Sequence, residues 1–278
     1  MSARSRDAGR TGEPPPPPEP LAVPVLDSHA HLDLMDADVD EALEAARSVG
    51  IDTVVQVGVD LPSSRWSADV AARYDAVHAA VALHPNEAAL GAATDEALRE
   101  VEQLAALPQV KAVGETGLDF FRTPEPEGQR LQEASFRAHI AIAKATGTTL
   151  VTHDRDAHDD VVRVLLDEGA PERVVFHCFS GGPDLARTCA EHGWWASFAG
   201  PVTFKANDEL RAAVLALPGE LLLVETDAPF LTPVPYRGRP NAPYLVPLTV
   251  RAMAQARAQE VDDLCAVLAD NGRRAFAL

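Results

Sequence analysis

The sequence predicts an α/β fold, a parallel (β/α)8 TIM barrel over residues 21–278. Three observations predict it. Eight short apolar, β-branched runs alternate with stretches at helical spacing. The about 255 residues over which they repeat match the usual size of such a barrel. Histidines and carboxylates collect at the ends of the runs, where parallel barrels carry their active sites. An open doubly wound sheet is disfavoured, because no G-x-G-x-x-G follows the first run and no G-x-x-x-x-G-K-[ST] occurs.

Residues 1–20 read as a disordered leader and a dispensable extension. Pro14 to Pro18 and Pro20 favour polyproline II, and the residues before them offer almost nothing to bury. Its charges cancel, Arg4, Arg6 and Arg10 against Asp7, Glu13 and Glu19. Strands are then expected at 23–28, 52–59, 77–83, 110–114, 148–152, 173–177, 195–199 and 220–225. The helix after the first strand opens behind Asp36 and Asp38, puts Val39, Leu43, Ala46 and Val49 on one face, and stops at Gly50. The segment 157–168 repeats that logic with Val161, Leu165 and a stop at Gly169. Trp194 and Trp195, at a strand start, read as packing residues of the barrel's bottom face.

The composition narrows the function classes. With 278 residues, 46% of them apolar, the chain can bury a sizeable core. Its 24 basic and 42 acidic residues give a charge of −18, which repels nucleic acid and anionic membranes unless basic groups gather locally. Cys178, Cys189 and Cys265 form no C-x-x-C pair, so neither a disulfide framework nor a thiolate zinc knot is expected, and a cytoplasmic location is. No apolar stretch approaches the roughly 18 residues of a membrane span, and no long heptad argues against a monomer.

Of nine histidines, His29, His31, His84, His153 and His177 fall at or just after a predicted strand's C-terminal end, where chance would place about one. The other four, His78, His139, His158 and His192, read as ordinary core or surface residues. In Asp27-Ser28-His29-Ala30-His31 the two histidines stand at i and i+2 of an extended strand, so both face one side and can share a cation. Strand four ends in Gly114-Glu115-Thr116-Gly117-Leu118-Asp119, which brings Glu115 to the mouth between glycines. Asp227 follows an apolar run, where a carboxylate is costly unless paired or metal-bound. Four histidines and two carboxylates suit two divalent ions, zinc, manganese or magnesium, sharing Glu115. Such a pair activates a water and holds a phosphoryl oxygen or carbonyl for attack. Cys178 is expected to point away from His177 and to pack.

Taken together, D-S-H-x-H-L-D, G-E-T-G-L-D, H-x-R-x-A, H-C-F-S-G and E-T-D-A-P-F-L resemble the TatD family of metal-dependent hydrolases over about residues 23–278. The resemblance implies an amidohydrolase-like TIM barrel and deoxyribonuclease activity, 3′–5′ exonucleolytic in some members. It implies that His29 and His31 bind one metal, Glu115 bridges, His153 and His177 complete the second sphere, and Asp227 binds metal and handles the proton. His84 is implied near the scissile phosphate and Arg155 on the same mouth. Two patterns depart from the family's usual form: T-D-S-P-Y-L is here Thr226 to Leu231 with Ala228 and Phe230, and R-G-K-x-N-E-P becomes Arg237 to Pro243 without the glutamate. Neither departure touches an expected ligand.

The metal centre reconciles a nuclease with the acidic total, since two divalent ions bring +4 against −2 from Glu115 and Asp227. Lys205, Arg237 and Arg239, interleaved with Phe204, Tyr236 and Tyr244, are expected to hold a few unpaired nucleotides, and residues 232–244 contain no acid. The expected substrate is a DNA end or short single strand. A deacylase acting on aminoacyl-tRNA or on a small ester, amide or phosphoester is the alternative, disfavoured because strand four offers Glu115 and not a bridging lysine. A non-catalytic scaffold is disfavoured because all the expected ligands are present.

Overall fold

In a computed structural model, which describes residues 12–278, eight parallel strands follow one another in chain order. They are β1 (Val25–Ala30), β2 (Ile51–Val57), β3 (Val77–Val81), β4 (Val110–Asp119), β5 (Thr149–Arg155), β6 (Val174–Phe176), β7 (Trp195–Phe198) and β8 (Leu222–Val224). The helices around them are α1 (Val39–Ser48), α2 (Leu61–Ala71), α3 (Pro85–Ala89), α4 (Asp95–Ala105), α5 (Pro126–Thr146), α6 (His158–Glu168), α7 (Pro183–His192), α8 (Asp208–Ala216), α9 (Val246–Arg257) and α10 (Val261–Phe276). The strands read as continuous Val, Ile, Leu and Ala runs because helices cover one side and the barrel core fills the other. The helices start where short polar side chains satisfy free N–H groups: Asp38 accepts from Glu41, Asp60 from Ser63 and Thr94 from Ala97.

The expected barrel is observed, with shifted ends. β1 runs to Ala30 and so contains His29, where the sequence placed its end at 28. Asp27 and Ser28 look like a strand terminus but are bonded inside the barrel, Ser28 to Ser197 at 2.7 Å and Asp27 to Thr226. β4 continues from 114 to Asp119 through two glycines, with a register shift between Val113 and Thr116. Gly117, at φ 140°, lies so close to β5 that a Cβ would meet the His153 carbonyl at 2.1 Å. Residues 219–221 form a turn of 3-10 helix, so β8 begins only at Leu222.

At the base, α10 crosses the strand starts. Thr149 donates to the Ala275 carbonyl at 2.5 Å, and Asn271 donates to Gly219 and Leu222 at 2.8 Å each. No described helix is long and apolar enough to cross a membrane. The expected leader divides. Residues 1–11 lie outside the described residues, but Glu13, Pro14, Pro15, Glu19 and Pro20 are bonded to the barrel through their carbonyls and do not form a free tail.

His139 reads from sequence as an ordinary histidine, and it is a core strut. Its Nε2 accepts the Leu83 N–H at 3.1 Å, so Nδ1 carries the proton and donates to the Ser135 carbonyl at 2.7 Å. Burial pushes it down to about 4. The unfolded chain therefore binds a proton near pH 6.5 that the folded chain refuses until about pH 4, and stability drains as pH falls through that window. The loss should reach about 3 kcal/mol. Denaturant unfolding at pH 7 and pH 4.5 checks it: a His139→Gln variant, which keeps an acceptor for Leu83, should show a flatter pH dependence than the wild type.

Candidate metal centre

The four histidines and two carboxylates expected at the mouth converge there. β1 supplies His29, the residue just past its end His31, β4 Glu115, β5 His153, the turn after β6 His177, and the turn after β8 Asp227. Glu115 is the hub. Its Oε2 lies 2.8 Å from His177 Nε2, 3.2 Å from His153 Nδ1 and 4.0 Å from His29 Nε2, and its Oε1 lies 3.6 Å from His31 Nε2. Asp227 Oδ1 stands 3.5 Å from His31 Nε2 and 4.0 Å from His29 Nε2. Asp227 takes a left-handed backbone at φ 53°, a strained conformation that Asp tolerates, and its N–H donates to the His29 carbonyl at 2.9 Å.

Burial pushes Glu115 up, but the charges of His84 and His177 and hydrogen bonds from His153 and His177 outweigh it and hold the carboxyl well below its ordinary range. Burial pushes His29 well below the usual imidazole range, and the neighbouring His177 adds to that. His177 goes the other way: burial opposes its proton, and Glu115 and Glu225 hold it well above the usual value.

The donor set fits a divalent cation. His29 is fully buried, and among the described residues neither of its ring nitrogens has a hydrogen-bond partner; an orphaned imidazole is expensive unless an ion satisfies it. His31 donates Nδ1–H to the Val57 carbonyl at 2.9 Å, which leaves Nε2 as a lone pair facing the carboxylates. His29, His31 and Glu115 bring ligand atoms within 4.8 Å of one another, as do His84, Glu115 and His153. His84 differs in tautomer. Its Nδ1 accepts the Asn86 N–H at 3.0 Å at the start of α3, so its neutral ring carries the proton on Nε2, 3.8 Å from Glu115. That arrangement makes His84 a donor to an anion more readily than a metal ligand.

Sequence reading missed three carboxylates that orient these ligands. Asp119 faces His153 Nε2 at 3.3 Å while accepting the Arg122 N–H at 2.8 Å. Glu225, fully buried, lies 3.4 Å from His177 Nδ1 and accepts the Cys178 N–H at 2.8 Å. Asp27 accepts from Thr226 N–H at 2.9 Å, Thr226 hydroxyl at 2.5 Å and His29 N–H at 3.2 Å. Burial pushes Asp27 up to about 7. All three sit in the quoted strand-end motifs, one or two residues from an expected ligand or at the motif's end, and that adjacency was the available signal. Cys178 departs from expectation. β6 ends at Phe176 and Cys178 has φ 42°, so strand alternation does not reach it; burial and then the charges of Asp227, Glu225 and Glu115 push its thiol well up.

The expected substrate residues divide. Arg155, at the end of β5, lies 4.0 Å over the ring of Phe121, which is 60% exposed. Arg237 lies 4.0 Å over Phe204, and Lys205 beside it is exposed. Arg239 is turned to the leader instead, donating to the Glu13 carbonyl at 2.7 Å and the Pro14 carbonyl at 2.9 Å.

Comparison with known proteins agrees with this geometry. Residues 26–277 match the family model described as TatD related DNase. A metal-dependent hydrolase named TatD from Mycobacterium tuberculosis is 45% identical over 261 residues, 91% of this chain and 98% of the relative. A protein named 3′-5′ ssDNA/RNA exonuclease TatD from Klebsiella pneumoniae is 34% identical over 252 residues, 87% and 92% of the two chains. The crystal structure of YjjV, a TatD homologue from Escherichia coli K12, superposes with a TM-score of 0.85 at 26% identity, covering 91% of this chain and 98% of that one.

If Glu225 orients His177, Glu225→Gln should lower divalent-ion affinity about 10–100-fold while the fold survives. Calorimetric titration with Mn²⁺ reads this directly, and an unchanged affinity would refute the role.

Proposed function

This chain belongs to the TatD family of metal-dependent hydrolases, and from that premise we propose that it removes nucleotides from the 3′ end of single-stranded DNA with two divalent ions, Mg²⁺, Mn²⁺ or Zn²⁺. The observation that carries the reading is the buried, unpartnered His29 beside His31, Glu115 and Asp227 at the mouth of a barrel. His29, His31 and Asp227 would hold one ion, His153 and His177 the other, with Glu115 between them. Bound there, the ions would supply Lewis acidity, lowering the pKa of an attacking water and polarising the phosphoryl group.

The remaining work falls to this chain's own side chains. Asp227, with its carboxylate partly open to the mouth at 13% exposure, accepts the proton from the attacking water. His84 Nε2–H hydrogen-bonds the phosphate undergoing cleavage. Arg155, held over the Phe121 face, neutralises a neighbouring phosphate, and the exposed ring offers a surface to an unpaired base. Arg237 on Phe204, with Lys205, does the same from the loops after β7 and β8. These two places suit a few unstacked nucleotides, and the chain's net charge of −18 disfavours a long duplex track. The 3′-end preference is supported by the name of the Klebsiella relative. A cytoplasmic site of action is supported by three cysteines, all free.

With Mg²⁺ or Mn²⁺, an oligonucleotide should lose mononucleotides from its 3′ end, and a chelator or Asp227→Asn should abolish the release. No release by metal-loaded wild type would move the substrate to a carbonyl ester or amide or a small phosphoester. A His84→Ala variant should lower kcat about 10²–10³-fold without loss of metal, as expected for a hydrogen-bond donor to the reacting phosphate. Few phosphate contacts also predict a shallow salt dependence, a log–log slope of roughly −2 for a three-phosphate footprint.

A further inference from the structure

The leader lies outside the family match, which begins at residue 26, yet its described part is tied to the barrel from base to mouth. At the base, Leu21 N–H donates to the Val49 carbonyl at 3.0 Å, just before β2 begins. Alongside α9, Arg251 Nη2 donates to the carbonyls of Glu19 at 2.9 Å and Pro20 at 3.2 Å. At the mouth, the Tyr244 hydroxyl donates to the Pro15 carbonyl at 2.6 Å, and Arg239 donates to Glu13 and Pro14. Pro15 is buried.

The composition of the segment explains why it can do this. Six of the seven residues from 14 to 20 are proline, and proline has no N–H, so this stretch offers almost only carbonyls. These hydrogen bonds at 13–20 are of one kind accordingly, a side-chain donor of the barrel onto a leader carbonyl, and Arg251 adds an ion pair with the Glu19 carboxylate at 3.9 Å. At roughly 3.1 Å per residue, a polyproline rod from Leu21 to Glu13 reaches about 25 Å. A six- or seven-residue strand with its end loop covers about the same height. A stiff rod loses little conformational entropy on docking, whereas a glycine-rich chain of equal length would lose much more.

The rod ends on the loop of residues 232–244, which carries Arg237. That loop is fastened to the end of β8 by Asn241, whose Nδ2 donates to the carbonyls of Thr226, at 2.9 Å, and Phe230, at 2.5 Å. It is fastened to the loop after β7 by Val234 N–H on the Thr203 hydroxyl at 2.9 Å. Arg239 is where loop and leader meet: its carbonyl accepts the Thr232 hydroxyl at 2.6 Å while its guanidinium holds the leader and lies 5.4 Å from the Tyr236 ring centroid. We propose that the proline-rich leader is an intrachain strut that fixes residues 232–244 as one rim of the substrate mouth, positioning Arg237 for a single-stranded substrate. The substrate half of this inference rests on the nuclease reading above. The leader is then a positioning element, not a dispensable extension.

The test uses the full-length chain with Pro15→Gly, Pro16→Gly and Pro17→Gly together, which keeps length and softens the rod, and separately Tyr244→Phe, which removes one strut contact. Hydrogen exchange of residues 232–244 should speed up roughly tenfold in the proline variant, less in Tyr244→Phe, with strand amides unchanged. In the proline variant, KM for a single-stranded oligonucleotide should rise about fivefold, while kcat and the turnover of bis(p-nitrophenyl) phosphate, too small to reach the rim, stay at wild-type values. Unchanged exchange in the loop overturns the strut. Faster exchange with an unchanged KM overturns its role in positioning substrate. If wild type releases nothing from the oligonucleotide, the nuclease reading fails, and the exchange result still decides whether the leader fixes the loop.

Discussion

The site depends on how the barrel is closed between its last strand and its first. Seven strand pairs are joined by ladders, whereas the pairing between β1 and the chain just past β8 is an isolated bridge from Ala30 to Ala228. The Asp227 N–H on the His29 carbonyl and the His31 N–H on the Ala228 carbonyl complete the backbone seam. The Asp27 carboxylate, wholly buried, binds both donors of Thr226 across 199 residues of sequence. Burying a carboxylate is costly, and three hydrogen bonds offset much of that cost. Because His29 and His31 lie on one side of the seam and Asp227 on the other, the bonds that close the barrel also set the distances among the ligands. A looser seam would leave the fold recognisable and the ligand cluster disassembled.

Behind the ligands stands a layer of carboxylates and carbonyls that fixes which nitrogen each imidazole presents. The Val57 carbonyl does this for His31, Asp119 for His153 and Glu225 for His177. The Asn86 N–H does the opposite for His84, consuming its Nδ1 lone pair and leaving a proton on Nε2. One hub carboxylate, Glu115, is therefore surrounded by imidazoles prepared for two jobs, cation binding and proton donation. On the proposed nuclease reading, this preorganisation would let an acidic chain accept a polyanion, because the charges that matter would lie within a few ångströms of the hub while the surface acids are screened over about 8–10 Å.

The sequence made the barrel and its cluster of candidate ligands legible for a local reason: both depend on patterns within a few residues. Apolar runs mark strands, and H-x-H on a strand places two rings on one side whatever the rest of the chain does. The missed features are those whose partners lie far away in sequence. Asp27, Asp119 and Glu225 look like ordinary acids until Thr226, His153 and His177 are brought beside them. β4 was expected to stop at 114, where its apolar run ends, yet it runs on to Asp119, with Gly117 permitting contact with the β5 backbone. The described part of the leader, residues 13–20, departs from its local reading for the same kind of reason. A run of prolines has nothing to bury and no N–H to offer, so disorder is the local expectation, but its carbonyls find donors on Arg239, Tyr244 and Arg251 more than 200 residues later.

The central claim is that Glu115 is shared by a cation-binding cluster that the β8–β1 seam assembles. Anomalous diffraction from crystals grown with Mn²⁺ tests it most directly. The account predicts two peaks at the barrel mouth, one beside His29, His31 and Asp227, the other beside His153 and His177, with Glu115 contacting both. A single peak that Glu115 does not touch, or peaks confined to the surface acids, would contradict it.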